Sequence, residues 1–387
     1  MIRVLHFTDP EGAFRRIAFL GAAEDEADRL VAGLRCFLVS VPLDDGMIPA
    51  MLPLLERRGI PNARGRDVLL FTVSSPDQLE PEGDGPPGTA DVLLPVRAAL
   101  ARCRNRDHTL RCGDRALSLS GTPRIMGVLN VTPDSFSDGG RYLSFERAVE
   151  RGAEMAREGA DIVDVGGEST RPGSRPVPVE EELSRVIPVV RALAQRTDAI
   201  LSVDTTKADV AERAIAAGAR IVNDTSALSD DPRMADIVRR SGCGVVLMHR
   251  QGVPETMQRS PSYRSLFDEI LDALAERVAA AEGAGIPPDR ILVDPGVGFG
   301  KRVEDNLALH RHLADLRNLG KPILFGPSRK AFLGKITGRE PADRAAGTAA
   351  SVALAVMGGA HVLRVHDVGE MRDAALVASA VAGGAEC

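Results

Sequence analysis

From residue 125 onward the chain alternates between short apolar runs and longer amphipathic stretches. The stretches between the runs, such as 144–160, 208–219 and 265–285, carry apolar residues at helical spacing and end close to a glycine. The apolar runs themselves do not alternate with polar positions, which is typical of parallel strands buried on both faces. These runs cover residues 125–130, 161–167, 199–204, 220–224, 244–249, 290–296, 322–326 and 361–366. Eight strand-helix units predict an α/β protein with a (β/α)8 TIM barrel, and a doubly wound open sheet is the competing fold.

The first 108 residues do not follow this repeat. They contain shorter apolar runs, an amphipathic segment at 47–58, and a stretch at 74–89 whose Pro, Gly and acidic content is typical of a loop. Residues 109–120 alternate apolar and polar positions around Gly113 and Asp114, which predicts a β-hairpin. We therefore expect a small α+β N-terminal domain over 1–108, of unknown role, followed by the barrel over 109–387.

Composition narrows the class of protein. Hydrophobic residues make up 44% of the 387 residues and charged residues 26%, as in soluble globular proteins. A net charge of −6, with no Trp and 3% aromatic residues, argues against nucleic-acid binding. Five scattered cysteines fit neither a disulfide framework nor a zinc site. Without a signal peptide or a run of 18 apolar residues, we expect a cytoplasmic protein with no membrane contact.

Polar and charged residues stand at the end of nearly every predicted strand. In a TIM barrel the carboxyl ends of the strands meet at one rim, which is where active sites lie. A capping role would explain any one of these residues, but together they predict a site. The strand ends are Asn130, residues 166–168, Asp204, Asn223 and Asp224, Met248 and His249, Asp294, residues 326–330, and residues 364–366.

The rim residues predict two kinds of ligand group. Asp204, Asn223 and Asp294 can accept from the N–H donors of a planar heterocycle with an amino-pyrimidinone edge. Asn130, Arg364 and His366 suit an anion such as a diphosphate with Mg²⁺.

Structural roles are the alternative for single residues. Asp294, which precedes a Pro-Gly pair, fits a turn, and His249 and His361 fit ordinary half-buried histidines. His310 and His312 are two positions apart in a helical stretch and do not face each other, so we expect no metal pair there.

Two segments after the first and second strands are rich in Gly, Ser, Pro and Asp. They are residues 131–142 and 166–176, hereafter the first and second loops. Loops of this kind over a barrel mouth are candidates for lids, and a surface insertion is the alternative.

Eight motifs in this order resemble those of the dihydropteroate synthase family. They are IMGVLNVTPDSFSDGG, GGESTRPG, SVDT, VND, LMH, DPGVGFGK, GPSRKAFLG and RVHDV, and the resemblance covers about residues 109–382. It implies a TIM barrel that condenses para-aminobenzoate with 6-hydroxymethyl-7,8-dihydropterin diphosphate, releasing diphosphate and giving 7,8-dihydropteroate for folate synthesis. It further implies Mg²⁺ as cofactor, a homodimer, and a target for sulfonamides.

The resemblance also implies a role for each matching residue. Asn130 corresponds to the Mg²⁺ ligand, and Thr170 to a substrate-binding position. The catalytic residues implied are Lys330, Arg364, His366 and Asp204, of which Arg364 and His366 lie at the diphosphate end. The pterin ring is held by Asp204, Asn223, Asp294 and Lys330, in a pocket lined by Met248 and Phe299. The loop residues implied are Phe136, Arg171 and Pro172 for the aminobenzoate, with the acidic Asp134 and Asp138 in the first loop.

Some features depart from the family pattern. Ala331 stands where many members carry a Ser that contacts the aminobenzoate carboxylate, so we expect backbone N–H groups to make that contact, or a weaker one. Residues 1–108 lack the acidic signature of the fused pterin kinase, so we do not expect a bifunctional enzyme. Two other functions are considered: a pterin-dependent methyltransferase barrel, and a non-catalytic pterin-binding paralogue. The first and second loop motifs argue against the former, and Asn130, Lys330, Arg364 and His366 against the latter.

Overall fold

The chain forms two compact units, Met1–Asn105 with Ala314–Gly320, and Arg106–Leu313 with Lys321–Cys387. The computed structural model describes every residue except 1, 6–16, 18–19, 21, 34–36, 43–47, 59, 65–67, 74–78, 80–88, 133–139, 170–173, 175, 254 and 384–387.

The first unit is an antiparallel sheet with helices on both faces. Its strands are β1 (Arg3–Leu5), β2 (Phe37–Pro42), β3 (Asn62–Arg64) and β4 (Val68–Val73), in the order β1-β2-β4-β3. Its helices are α1 (Glu24–Gly33), α2 (Ile48–Arg57) and α3 (Thr89–Arg104). Alternate residues of β4 enter two separate clusters, with Leu69 and Phe71 in one and Leu70 in the other. This burial on both faces confirms the predicted α+β character.

The segment Ala314–Gly320 belongs to this first unit, although it stands between two barrel elements in the chain. Most of it lies in a 3-10 helix, Leu313–Leu319. The amide of Asn318 accepts from the N–H of Val4 at 2.6 Å and donates to its carbonyl at 2.8 Å. These two bonds pair the amide with the edge of β1.

The second unit opens with the predicted hairpin and continues as a barrel. The hairpin strands are β5 (Thr109–Cys112) and β6 (Arg115–Ser118). The barrel strands are β7 (Arg124–Asn130), β8 (Ile162–Gly166), β9 (Ile200–Asp204), β10 (Ile221–Asp224), β11 (Gly244–Met248), β12 (Ile291–Asp294), β13 (Leu324–Phe325) and β14 (Val362–Val365). The helices are α4 (Gly140–Arg157), α5 (Val179–Leu193), α6 (Ala208–Ala217), α7 (Met234–Ser241), α8 (Leu266–Gly283), α9 (Val303–Arg311), α10 (Ala331–Thr337), α11 (Ala345–Gly358) and α12 (Val368–Ala382).

All neighbouring barrel strands are parallel. Their order is β12-β11-β10-β9-β8-β7-β14-β13, and a parallel bridge between Val293 and Ile323 joins the two ends of this order. The closure confirms the TIM barrel and excludes the doubly wound open sheet.

The pairing register arranges the residues that face the barrel axis in layers. The lowest layer is apolar and packs against Leu110, Cys112 and Leu119 of the hairpin region, which close that end of the barrel. The uppermost layer contains the polar strand ends: Asn130 pairs with Gly166, which pairs with Asp204, which pairs with Asn223. Because these positions share one face of their strands, their side chains converge at the mouth of the barrel.

Candidate active site at the mouth of the barrel

Arg364 on β14 is the central cation of the site. Its Nε donates to Asp164 Oδ2 and one terminal nitrogen donates to Asp204 Oδ2, each at 2.7 Å. Burial opposes the charge of the guanidinium, but the two carboxylates outweigh it and raise the pKa of Arg364. Arg364 is therefore charged at every physiological pH.

Asp164 connects three strands through one carboxylate. Besides Arg364, its Oδ2 accepts from Asn223 Nδ2 at 2.9 Å. The side chain is fully buried, and within the described residues its second oxygen has no hydrogen-bond partner. This residue is absent from the sequence prediction, because it stands two residues before the end of β8. A carboxylate in the middle of the apolar run 161–167 was the signal that could have revealed it.

Asp204 and Asn223 are the acceptors beside this pair. Burial raises the pKa of Asp204 to about 7, and Arg364 only partly offsets this. Asn223 donates its amide nitrogen to Asp164, which leaves its oxygen as an acceptor toward the pocket. The two residues present acceptors of the kind predicted from the strand ends.

The pocket between these acceptors is closed by apolar side chains and Lys330. Its lining comprises Asp204, Asn223, Thr225, Met248, Asp294, Val297, Phe299, Gly326, Lys330 and Arg364. The Nζ of Lys330 lies 4.1 Å from the centroid of the Phe299 ring, a cation-π contact. Burial and the neighbouring Arg364 lower the pKa of Lys330 to about 8.

Asp294 occupies the end of β12 on the floor of this pocket. Its Oδ1 accepts the N–H of Gly296 at 2.7 Å, and burial raises its pKa. Asp294 therefore has both of the roles predicted from the sequence: its carboxylate closes the turn at Gly296 and also lines the pocket.

The loop after β12 depends on glycines with positive φ. A Cβ on Gly296 (φ 70°) would lie 1.9 Å from the carbonyl oxygen of His249, and one on Gly300 (φ 61°) would lie 2.6 Å from that of Gln251. Gly298 (φ 80°) lies against the Lys330 side chain. The glycines of DPGVGFGK therefore allow this loop to pack directly on its neighbours, which places Phe299 beside Lys330.

Lys301 is a buried residue that contacts the backbone of this loop. It was also absent from the sequence prediction. It is 3% exposed, donates to the Phe299 carbonyl at 3.0 Å, and lies 3.0 Å from His249 Nδ1. Burial lowers the pKa of Lys301 to about 7, and burial with the nearby ammonium lowers that of His249 to about 3. Only the fold brings these residues, which are 52 positions apart, together.

His366 follows β14, and Asn130 ends the neighbouring strand β7. The Oγ of Ser328 accepts the His366 backbone N–H at 3.2 Å and lies 3.0 Å from its Nδ1. Burial, followed by the charge of Arg364, lowers the pKa of His366 to about 3, so the imidazole is neutral. Asn130 is half-buried at the end of β7.

A strained turn precedes Lys330. Arg329 has a φ of 57°, in the left-handed region that a non-glycine residue rarely adopts. Its guanidinium binds both carboxylate oxygens of Asp367, on the loop after β14. This ion pair ties the turn that carries Lys330 to the loop that follows His366.

The structure therefore brings together nine of the predicted site residues. They are Asn130, Asp204, Asn223, Met248, Asp294, Phe299, Lys330, Arg364 and His366. The other six lie outside the described residues: Asp134, Phe136, Asp138, Thr170, Arg171 and Pro172.

Three other polar residues have structural roles. Asp224, adjacent to Asn223, accepts from Ser226 and the N–H of Leu228, so it caps a turn. His361 accepts a backbone N–H, and His310 binds Ser351. In the part of the chain that the structure describes, no three His, Cys, Asp or Glu side chains group as a metal site.

A closed parallel barrel with buried acceptors and two cations at its mouth has counterparts among known proteins. The family model described as pterin binding enzyme matches residues 126–366, so the fold and site define a pterin-binding barrel.

Curated and solved relatives identify the family within this class. The dihydropteroate synthase of Escherichia coli (strain K12) is 46% identical over 258 residues, covering 67% of this chain and 91% of that protein. The structure of Xanthomonas albilineans dihydropteroate synthase with 4-aminobenzoic acid is 49% identical, with a TM-score of 0.68 over 73% of this chain and 100% of that one. A Yersinia pestis dihydropteroate synthase in a sulfonamide drug complex is 42% identical. Its TM-score is also 0.68, and the match covers 71% of this chain and 99% of that one. The chain belongs to the dihydropteroate synthase family, and its function is that of this transferase of folate biosynthesis.

Proposed function

We propose that the barrel mouth condenses para-aminobenzoate with 6-hydroxymethyl-7,8-dihydropterin diphosphate through the residues described above. The observation that carries this assignment is the pocket in which Asp204, Asn223 and Asp294 surround Arg364 and Lys330. A pterin ring presents N–H donors along one edge and a carbonyl beside them, and this pocket offers acceptors and cations in the same small space.

The pterin ring is held by complementary charge and by an apolar wall. Asp204, Asn223 and Asp294 accept its N–H groups, while Lys330 donates to a ring carbonyl or nitrogen. Met248 and Phe299 line the faces of the pocket. As diphosphate departs, positive character develops on the pterin methylene, and buried acceptors around an electron-rich ring favour that change.

Arg364 and His366 bind the leaving group, and Asn130 is the protein ligand for Mg²⁺. The side-chain amide of Asn130 offers its oxygen as a metal ligand at the rim. This side chain makes no hydrogen bond within the described residues. One protein oxygen suits Mg²⁺, since this ion keeps several waters and binds phosphate oxygens. When bound, the ion would neutralise charge on the diphosphate.

The arylamine enters after the pterin, on the side of the two loops. Phe136, Arg171 and Pro172 form its pocket. Thr170 is a further substrate-binding residue, and Asp134 and Asp138 are acidic residues of the first loop. A neutral aniline nitrogen is already a nucleophile, so the site needs no strong general base. Sulfonamides would compete for this pocket, in keeping with the drug complex of the Yersinia pestis relative.

Turnover by the purified protein tests the assignment. With labelled para-aminobenzoate, the pterin diphosphate and Mg²⁺, we expect labelled dihydropteroate and diphosphate in equal amounts. EDTA should stop the reaction and added Mg²⁺ restore it. Pterin binding without product would identify a non-catalytic paralogue, and methyl transfer from a folate to a corrinoid would identify a methyltransferase.

We further propose that the protein is a cytoplasmic homodimer. Large apolar side chains on α11 and α12 are more than half exposed, namely Leu354, Met357, Val377 and Val381, and a second copy would cover them. Among the described residues, no helix has the length and apolarity to cross a membrane. Light scattering should give twice the mass of one chain. The double variant Leu354→Glu/Val377→Glu should have the mass of a single chain.

A further inference from the structure

Three charged residues form a network at the base of the second loop. The ammonium of Lys207, which precedes α6, donates to Glu168 at the end of β8 and to Glu182 on α5. The side chains of Lys207 and Glu168 are 22% and 24% exposed, whereas that of Glu182 is only 1% exposed. We call this set the loop-base network.

Glu168 joins the two ends of the second loop. Its Oε2, the same atom that binds Lys207, also accepts the backbone N–H of Val177 at 3.0 Å. Glu168 and Val177, which flank residues 169–176, are therefore joined by this hydrogen bond. Since this carboxylate is held by Lys207, the position of the loop base depends on the ammonium.

The α5 helix provides a rigid support for the same loop base. Glu182 is fully buried, and its other oxygen has no partner among the described residues, so Lys207 is the group that compensates its charge. Gly167 packs against α5 so closely that a Cβ there would lie 2.6 Å from Val186. Arg185, one turn further along α5, donates to the Gly167 carbonyl at 2.8 Å.

Lysine is a rare residue in this chain, which has 48 Lys and Arg residues of which five are Lys. Burial opposes the charge on Lys207, but Glu168 and Glu182 outweigh it and raise its pKa. A compact ammonium can approach two carboxylates from between them, where a planar guanidinium would need a different geometry. The residue type therefore fits the network.

We propose that Lys207 is a positioning residue for the arylamine substrate, acting through Glu168 on the second loop. This inference rests on the proposed function, in which Arg171 and Pro172 of that loop help form the amine pocket. The pterin pocket is held by other contacts, those of Asp164, Asp204 and Arg364. The network should therefore affect the affinity for the amine more than the affinity for the pterin.

The test compares Lys207→Met with Lys335→Met, an exposed lysine in the last turn of α10. Lys207→Met should raise the KM for para-aminobenzoate about tenfold or more, because a small misplacement of a binding loop costs this much. The KM for the pterin diphosphate should stay within twofold of wild type. Lys207→Arg should recover part of the loss, and Lys335→Met should change neither constant.

A second measurement does not depend on turnover. Hydrogen exchange of the Val177 amide, which Glu168 protects, should be faster in Lys207→Met than in wild type and unchanged in Lys335→Met. If Lys207→Met fails to fold, Glu168→Gln tests the same positioning role. This variant should raise the KM for the amine and make hydrogen exchange of the Val177 amide faster.

An amine KM within twofold of wild type, equal rises in both KM values, or unchanged Val177 exchange would overturn the inference. A wild-type protein that makes no dihydropteroate would instead overturn the proposed function, so the two failures are distinguishable.

Discussion

At the scale of single residues, the charge balance of the site depends on carboxylates that hold Arg364 in place. Asp164 and Asp204 bind different nitrogens of one guanidinium, so the cation cannot rotate without losing a partner. The same two carboxylates are the reason that Arg364 tolerates burial. Binding and stability are therefore coupled at this residue.

Asp164→Asn tests that coupling. The change keeps the shape of the side chain but removes a fully buried charge that compensates Arg364, so the free energy of unfolding should fall by about 3 kcal/mol. Urea denaturation measures the loss. The control is Asp209→Asn, which breaks an exposed ion pair with Arg233 and should leave stability unchanged. Equal stability of the two variants would contradict a structural role for Asp164.

Two shifted pKa values predict the pH dependence. Asp204 titrates near 7 and accepts N–H donors as the carboxylate, whereas Lys330 titrates near 8 and donates as the ammonium. The value of kcat/KM for the pterin substrate should therefore fall below pH 7 and above pH 8. Asp204→Asn should remove the acidic limb and Lys330→Arg the alkaline limb. Since ionisation of the substrate is common to all three proteins, limbs that persist in the variants belong to the substrate.

At the scale of elements, the loop after β12 carries part of the pocket wall on backbone that only glycine permits. Gly296 and Gly338 have the same φ of 70°, but their surroundings differ. A Cβ at Gly296 meets the His249 carbonyl, while one at Gly338 meets nothing within 4 Å. Substitutions at Gly296 and Gly338 therefore distinguish the cost of backbone strain, which both share, from the cost of a steric contact, which only Gly296 has.

Gly338→Ala should cost about 1–2 kcal/mol, the strain of a left-handed alanine, with no effect on substrate binding. Gly296→Ala should cost more, and it should also weaken binding of the pterin diphosphate, because the loop must move away from His249 and take Phe299 with it. Thermal denaturation and calorimetry measure the two effects. If Gly296→Ala and Gly338→Ala had the same stability and the same affinity for the pterin diphosphate, the close contact of Gly296 with the His249 carbonyl would have no role.

The first and second loops should affect the amine more than the pterin. Phe136→Ala and Arg171→Ala should each raise the KM for para-aminobenzoate more than that for the pterin diphosphate, since both residues are proposed to line the amine pocket. Steady-state kinetics with each substrate varied in turn measures the difference. The reverse pattern, with the larger rise for the pterin, would be inconsistent with the proposed pocket.

At the scale of the whole molecule, the chain consists of a barrel and an additional α+β unit. The nine described site residues all belong to the barrel unit, and the first unit supplies none of them. The segment Ala314–Gly320 nevertheless belongs to the first unit and buries Leu316 and Asn318 there. The two units therefore do not separate at a single point in the chain.

A chain beginning at Arg106 should retain kcat, because every proposed catalytic residue is kept. Its melting temperature should be lower than that of the full chain, since the buried Asn318 loses both hydrogen bonds to the backbone of Val4. Thermal denaturation and turnover of the monodisperse protein measure both. Loss of turnover in a folded truncated protein would show that the first unit is required for activity.

The parts of the site that were predicted from the sequence are those encoded locally. Each strand ends in a polar residue directly after an apolar run, and in a parallel barrel all such ends meet at one rim. Asn130, Asp204 and Asp294 could therefore be placed together from spacing alone. Asp164 interrupts an apolar run and could have been noticed, but its partner Arg364 could not be predicted, because nothing local specifies which distant residue pairs with a buried carboxylate.

The sequence by itself determined the eight-unit barrel, the rim residues and, through the motifs, the family, since these depend on periodicity and on short contiguous segments. Only the tertiary structure decided that Asp164 holds Arg364, that Lys301 supports Phe299, and that residues 314–320 join the first unit. Arg364 and Asp164 are 200 positions apart, and Asn318 and Val4 are 314 apart. Partners at such separations are selected by packing and by the need to satisfy buried polar groups, and neither leaves a local pattern in the chain.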